Sequence, residues 1–323
     1  MSPLPRRTML ALPAALAAPA IAQAQGRPIT IVVPFGAGTN VDAIARVAAN
    51  ELAPRIGQPV VVENLPGAGG TIATERVARA APDGATLLLG VDSVLNVAPL
   101  VTPSAVRYDP IRDFTAVHML ATLPLLLIGR PDLPATLPEL IALNATRSQP
   151  FTYATSGTGT SLHLFGEMLA GRTGLKLEHV PYRIATQIFP DLMAGRVDLA
   201  VSTLTSSGPL VREGRVRGFG ISSPERHPFL PEQITFAEQA ATRGMTSELY
   251  QGLFAPARTD PAFVARLAAA LAEALATPAA IERIRALGMT PSAMGPDATN
   301  RFVRDEAERY AALVRAAANI QPQ

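Results

Sequence analysis

The chain has 323 residues, 48% hydrophobic and 17% charged, which describes a packed globular protein rather than a disordered one. Its formal charge is +2, and residues 1–24 carry Arg6, Arg7 and no acid, so the remainder is formally neutral and offers no electrostatic footprint for nucleic acid. With no Cys, a disulfide framework and thiolate chemistry are excluded, and the four His residues lack metal-ligand spacing.

The N-terminus reads as an export signal. Arg6-Arg7 form a basic start, Met9 to Ile21 a short apolar stretch, and Ala22-Gln23-Ala24 a small-x-small cleavage site. The stretch is too short to span a bilayer and is broken by Pro13 and Pro19. The Arg pair followed by Thr8-Met9-Leu10 resembles a twin-arginine signal. The mature chain, starting after Ala24, is therefore expected to be soluble and outside the cytoplasm.

An apolar β-branched run over 28–33 breaks at Pro34, and a short glycine loop leads into a helical pattern over 40–56. Strand patterns recur at 59–63, 85–90, 151–155, 177–180, 197–202 and 216–221. Helical patterns occupy 70–81, 161–172, 185–194, 260–276 and 279–287. The alternation predicts an α/β fold with largely parallel sheets covered by helices. Two Gly-rich strand-to-helix loops, 34–40 and 155–160, lie far apart in sequence and form one site if they sit on two domains facing one cleft. Apolar segments 119–129 and 249–256 are expected to cross between the domains, with 260–317 returning to the first. The expected division is 25–123 plus 254–323 for one lobe and 124–253 for the other. No internal repeat is evident beyond this coarse symmetry.

In the first loop, Thr39 is a candidate N-cap and Asp42, three residues on, completes a capping-box variant. The carboxylate of Asp42 would repel an anion if it entered the site, so it is expected to brace the loop while Gly36, Ala37, Gly38 and Thr39 present N–H groups. The second loop offers Ser156, Gly157, Thr158, Gly159 and Thr160 before a helix that carries His163. Its glycines allow close approach of a ligand, and its hydroxyls cap or donate. Ser161 and His163 do not face each other on a helix, and no G-x-S-x-G elbow exists, so serine hydrolysis is not indicated. A dinucleotide-dependent oxidoreductase is the enzymatic alternative, through Gly36-x-Gly38 and Glu63 at the end of the next strand. Val41 at the third glycine position and Pro34 at the strand end count against it.

Several segments in order, including "RPITIVVPFGAG", "GQPVVVENLPGAGGTIATERVARAAPDGATLLLG", "YATSGTGTSLHLFGEML", "HVPYR", "DLMAGRVDLA" and "GLFAPARTDPAFVARL", resemble the Bug family of TctC-like extracytoplasmic solute receptors over about Pro28 to Asn319. The resemblance implies a two-lobe, Venus-flytrap binding protein that holds a carboxylate between helix N-termini of both lobes. It assigns Phe35, Gly36, Ala37, Gly38, Thr39 and Asn40, with Ser93, to the first lobe's part of the site. It assigns Ser156, Gly157, Thr158, Gly159 and Thr160, with Ser202 and Thr203, to the second. Asp42, His163 and Tyr182 stand behind them. The chain departs from the pattern at Thr39, where a second glycine is usual, and at Ile184, which replaces a glycine and is followed by Ala185, Thr186 and Gln187. The acid common near Ser202 is missing, so nothing obvious pairs an ammonium. The expectation is a monomeric, non-enzymatic receptor with no cofactor, which binds a small carboxylate and hands it to the membrane subunits of a tripartite tricarboxylate transporter. Sensing without transport is a further alternative.

Overall fold

The computed structural model describes residues 27–182 and 187–316. The signal-like segment and Ile184 to Thr186 lie outside the described residues. Ten strands form one mixed sheet flanked by helices. In the first half, β1 (Ile29–Val33) lies between β2 (Val60–Asn64) and β3 (Thr86–Val91), all parallel. In the second half, β5 (Phe151–Thr155) lies parallel between β6 (Leu177–Pro181) and β7 (Leu199–Thr203).

β4 (Phe114–Gly129) joins the halves. It pairs antiparallel with β9 (Glu248–Pro256) from Phe114 to Pro124, then with β7 from Leu125 to Gly129. β8 (Arg217–Ile221) and the short β10 (Thr290–Pro291) also pair antiparallel with β4, and β3 pairs antiparallel with β9. The largely parallel sheets expected from sequence are thus a mixed sheet. The outer strands are parallel, but the chain crosses between halves once outward and once back, which sets β4 and β9 against each other. β4 changes partner between Pro124 and Leu125. β9 pairs within the first half from Glu248 onward, so the expected division at 253/254 falls inside one continuous strand.

The apolar run of β4 is explained by burial on both faces. Leu125 and Leu127 pack with Tyr153, Phe165 and Phe219, whereas Leu126 and Ile128 pack with Ala154, Ile188 and Leu204. The period-two alternation of a strand sends neighbours to opposite faces. Full burial of each such side chain is worth roughly 1.5–3 kcal/mol.

The first half is covered by α1 (Asn40–Ile56), α2 (Thr71–Ala78), and a π-helical turn at Ser93–Val97 that continues into α3 (Ala98–Val101). The second half carries α4 (Leu137–Thr146), α5 (Ser161–Thr173), α6 (Ile188–Met193) and α7 (Leu204–Arg212). α8 (Pro261–Leu275), α9 (Pro278–Ala286) and α10 (Pro296–Ala316) follow β9, and residues of all three join the first half's core. Among the described residues no single helix is long and apolar enough to cross a membrane.

Candidate functional site

Register brings the carboxyl ends of both halves to one place. Val91, the last residue of β3, lies opposite Gln251, which lies opposite Ala121 of β4. Thr203, the last residue of β7, lies opposite Leu125. β3 runs with β4 and β7 runs against it, so the two strand ends point toward each other. Four residues of one strand separate their partners, roughly 13 Å at about 3.3 Å per residue. In open α/β sheets a ligand crevice forms outside such ends.

Helix N-termini surround this crossing. Thr39 caps α1 with φ −76° and ψ 163°, Thr160 caps α5 with φ −77° and ψ 161°, and Thr203 caps α7 with φ −77° and ψ 149°. The first two loops repeat one hydrogen-bond cycle. Thr39 Oγ1 donates to Gly36 O at 2.9 Å and accepts from Asp42 N at 3.3 Å, while Gly38 N donates to Asp42 Oδ2 at 2.9 Å. Thr160 Oγ1 donates to Gly157 O at 2.8 Å and accepts from His163 N at 3.3 Å, while Gly159 N donates to His163 Nδ1 at 3.0 Å. Gly38 and Gly159 adopt φ of +82° and +73°, a region costly for other residues.

The sequence carries this repeat as "GAGTNVD" at 36–42 and "GTGTSLH" at 157–163, a local signal finer than the coarse symmetry noted above. Within the expected donor set, some glycine amides are already engaged inside the loops. The amides of Gly38 and Gly159 are spent on Asp42 and His163, and Gly157 N donates to Thr155 Oγ1 at 3.3 Å. The first-turn amides of Asn40 and Val41, and of Ser161 and Leu162, have no intrahelical acceptor.

Asp42 braces the first loop. It is 4% exposed and accepts from Arg46 Nε (3.0 Å) and Asn64 Nδ2 (3.0 Å), and Asn64 also donates to Phe35 O (3.1 Å). Burial pushes its carboxyl up, but hydrogen bonds from Arg46, Gly38 and Asn64 together outweigh burial and hold it below the usual carboxylate range. Ala37 and Gly38 are exposed, and Phe35, Gly36, Thr39 and Asn40 are half-buried.

His163 braces the second loop. Its ring stacks on His179 with centroids 3.8 Å apart, and His179 Nε2 meets Thr155 Oγ1 at 2.7 Å. Because His163 Nδ1 accepts from an amide, a neutral ring carries its proton on Nε2, 3.7 Å from Glu167 Oε1. Glu167 in turn accepts from the Tyr153 hydroxyl at 2.7 Å. Burial lowers His163, and burial with the His163 charge pushes His179 down to about 4. Ser156 and Thr158 are exposed, and Gly157 and Thr160 half-buried. Tyr182 stands further back, its amide on Thr155 O at 2.9 Å and its hydroxyl on Asp191 Oδ2 at 2.7 Å.

The second loop also closes against the first half. Ser161 Oγ donates to Asp92, next to Ser93 at the end of β3, and Tyr310 OH on α10 reaches the same Asp92 oxygen at 3.4 Å. A Cβ built on Gly159 would stand 3.0 Å from Val101 Cγ2. Val97, Val101, Leu164 and Tyr310 form one apolar cluster across the halves. Burial pushes Asp92 up to about 6 despite the hydrogen bond from Ser161. Asp92 and Gln251, whose buried Oε1 has no hydrogen-bond partner, are not evident from sequence because each depends on residues distant in the chain. Ser202 is buried and Thr203 half-buried beside the β4 crossing, where Thr203 Oγ1 meets Ser206 Oγ at 3.0 Å. Glu63, the acid of the dinucleotide alternative, is held by the two terminal guanidinium nitrogens of Arg76 (2.5 and 2.8 Å). Among the described residues no cluster of metal-ligating side chains occurs.

The family model for the tripartite tricarboxylate transporter family receptor, TctC, matches residues 44–319. The periplasmic binding protein BugD is similar at 32% identity and TM-score 0.77, covering 92% of this chain and 99% of its own. Rpa4515 of Rhodopseudomonas palustris, solved with adipate, is 31% identical with TM-score 0.81 (92% and 99% covered). MatC of the same organism, solved with bound malate, is 33% identical with TM-score 0.75 (89% and 98% covered). With the strand-end geometry, these matches over nearly the whole described chain lead to one conclusion: the chain belongs to the TctC family of solute-binding receptors, the Bug proteins among them.

Proposed function

We propose that this chain captures a small organic carboxylate in the crevice between two lobes and presents it to the membrane subunits of a tripartite tricarboxylate transporter. The observation that carries this reading is the pair of Thr-capped loops, one from each half-sheet, that bring helix N-termini to one crossing. Each helix end is worth roughly 0.3–1 kcal/mol per charge, up to about 2 when partly buried, and each charge-assisted hydrogen bond roughly 1.5–3. Relatives solved with adipate and malate support a dicarboxylate. The absence from the sequence of the acid common near Ser202 argues against an amino acid. Ser161 donates to Asp92 and His163 Nδ1 accepts from Gly159, so these side chains are engaged in bracing rather than poised as nucleophile and base. The export-type N-terminus and the kinship with a periplasmic binding protein support the periplasm, and a two-lobe clamp works as a monomer. Lobe closure would be a hinge motion about β4 and β9.

A thermal-shift panel of di- and tricarboxylates, aromatic acids, amino acids and neutral sugars tests the reading. Stabilisation confined to acids, strongest for dicarboxylates, is expected. Stabilisation by sugars with silence across the acids would overturn it.

A further inference from the structure

A cavity of about 440 Å³ has no residue of the paired loops in its lining. Its walls come from both halves: His118 on β4, α8 and α9, the β10 region, and the segment carrying His227 and Pro228 after β8. Most of the lining is apolar, with Leu275, Ile281 and Met289 prominent. The polar groups are few and specific, the pattern of a small-molecule site.

His118 is 1% exposed. Its Nδ1 lies 2.6 Å from Met119 O, and a carbonyl only accepts, so Nδ1 carries the proton and Nε2 presents a lone pair. That Nε2 is buried with no hydrogen-bond partner. An orphaned buried acceptor is costly unless something donates to it. His227 is spent within the protein: Nδ1 accepts from Phe229 N at 3.1 Å and Nε2 meets Thr290 Oγ1 at 3.1 Å. Arg285 on α9 lines the cavity, and among the described residues its guanidinium forms no ion pair. It stands near enough to His227 to help burial hold that imidazole below its usual range. The cavity wall therefore combines a residue with a buried, unpartnered acceptor, one cation without an ion pair and an apolar surface.

The geometry points to a second binding site here for a small amphipathic acid, its anionic group on Arg285, its hydroxyl or N–H donating to His118 Nε2, and its apolar body against Leu275, Ile281 and Met289. Nothing in it depends on the residues of the paired loops. An occupant would touch both halves of the sheet.

Calorimetry on the mature chain tests the assignment with 4-hydroxybenzoate and benzoate, which differ by the one donor. The expected result is binding of 4-hydroxybenzoate, at least tenfold weaker binding of benzoate, and at least tenfold loss with Arg285→Gln, a surface change that spares the core. Gly38→Val, which spoils the paired-loop site, is expected to leave this binding within twofold. Absence of binding, equal affinity for benzoate, indifference to Arg285→Gln, or loss with Gly38→Val would each overturn the assignment.

Discussion

Asp42 and His163 hold the same place in two copies of one loop: each stands three residues after a cap threonine and accepts the amide of the glycine before that cap, at 2.9 and 3.0 Å. One is a carboxylate and the other an imidazole, so the equivalence is geometric rather than chemical. Each acceptor holds a left-handed glycine in place beside the start of its helix.

Removing the acceptor should undo the loop. Asp42→Ala strips Gly38, Asn64 and Arg46 of one shared partner, and a loss of about 1–3 kcal/mol in folding stability is expected, with at least tenfold weaker ligand binding. Arg46 is half exposed, so its ion pair is solvent-screened and Arg46→Ala should cost much less than Asp42→Ala. Chemical denaturation of the two variants checks the ranking, and an equal cost would show that the ion pair rather than the amide contact matters.

The glycines should differ among themselves. Gly36 has open space where a Cβ would stand and no left-handed φ, so Gly36→Ala should leave stability unchanged. Gly159 combines φ +73° with Val101 at 3.0 Å in the other half. Gly159→Ala should cost about 1–2 kcal/mol of strain and weaken ligand binding by hindering closure. Paired melting and binding curves measure both effects, and a neutral Gly159→Ala would contradict the packing of this loop on Val101.

Asp92 gives a pH signature. Its folded pKa of about 6 lies above the ordinary aspartate value of 3.8, so the folded state holds the proton more tightly. The associated stability is full below about pH 4 and is lost as pH rises through 6, a change of about 3 kcal/mol at most. The groups around it are Ser161, Tyr310 and Tyr250, with Glu306 and Arg309 on α10. Asp92→Asn should flatten this part of the stability curve, while an unchanged slope would place the titration elsewhere.

The stacked histidines act in the opposite sense. His179 is pushed down to about 4, chiefly by burial and then by His163, so its stabilising effect is full above pH 6.5 and is lost as pH falls through 4. His163, which burial holds below its usual range, can accept from Gly159 only while Nδ1 is unprotonated, so the second loop should loosen once that ring takes a proton. Nitrogen-detected NMR titration of the ring signals should show the His179 imidazole neutral at pH 6. A charged ring at that pH would contradict the stacked, amide-accepting arrangement.

Much of the local fold is legible in the sequence. The pattern over 40–56 coincides with α1, because Thr39 and Gly57 mark its ends as cap and left-handed stop. The strand at 151–155 is equally plain, bounded by Pro150 and by the glycine loop. α7 escapes the helical pattern because "LTSSGPLVR" is rich in Ser, Gly and Pro, and it holds through the Thr203 cap and burial of Leu204. α4 also lies outside the expected helices, although Thr136 and Glu139 form a full capping box. Strand direction in the centre is not legible, since an apolar run such as β4 has no polarity of its own. In the site, the bracing by Asp42 follows from its capping position. The matching part played by His163 does not, because histidine is not a usual capping-box residue, and the Asp92–Ser161 contact joins positions that local pattern cannot pair.

The central claim is that charge on a carboxylate is held between the two capped helix ends. Calorimetric titration of the mature chain with adipate and with adipamide, its neutral diamide of the same length, tests this most directly. Saturable one-site binding of adipate is predicted, with at least a hundredfold weaker binding of adipamide and at least tenfold loss of adipate affinity with Gly159→Ala. Binding of adipamide as tight as adipate, or adipate affinity untouched by both Asp42→Ala and Gly159→Ala, would contradict it.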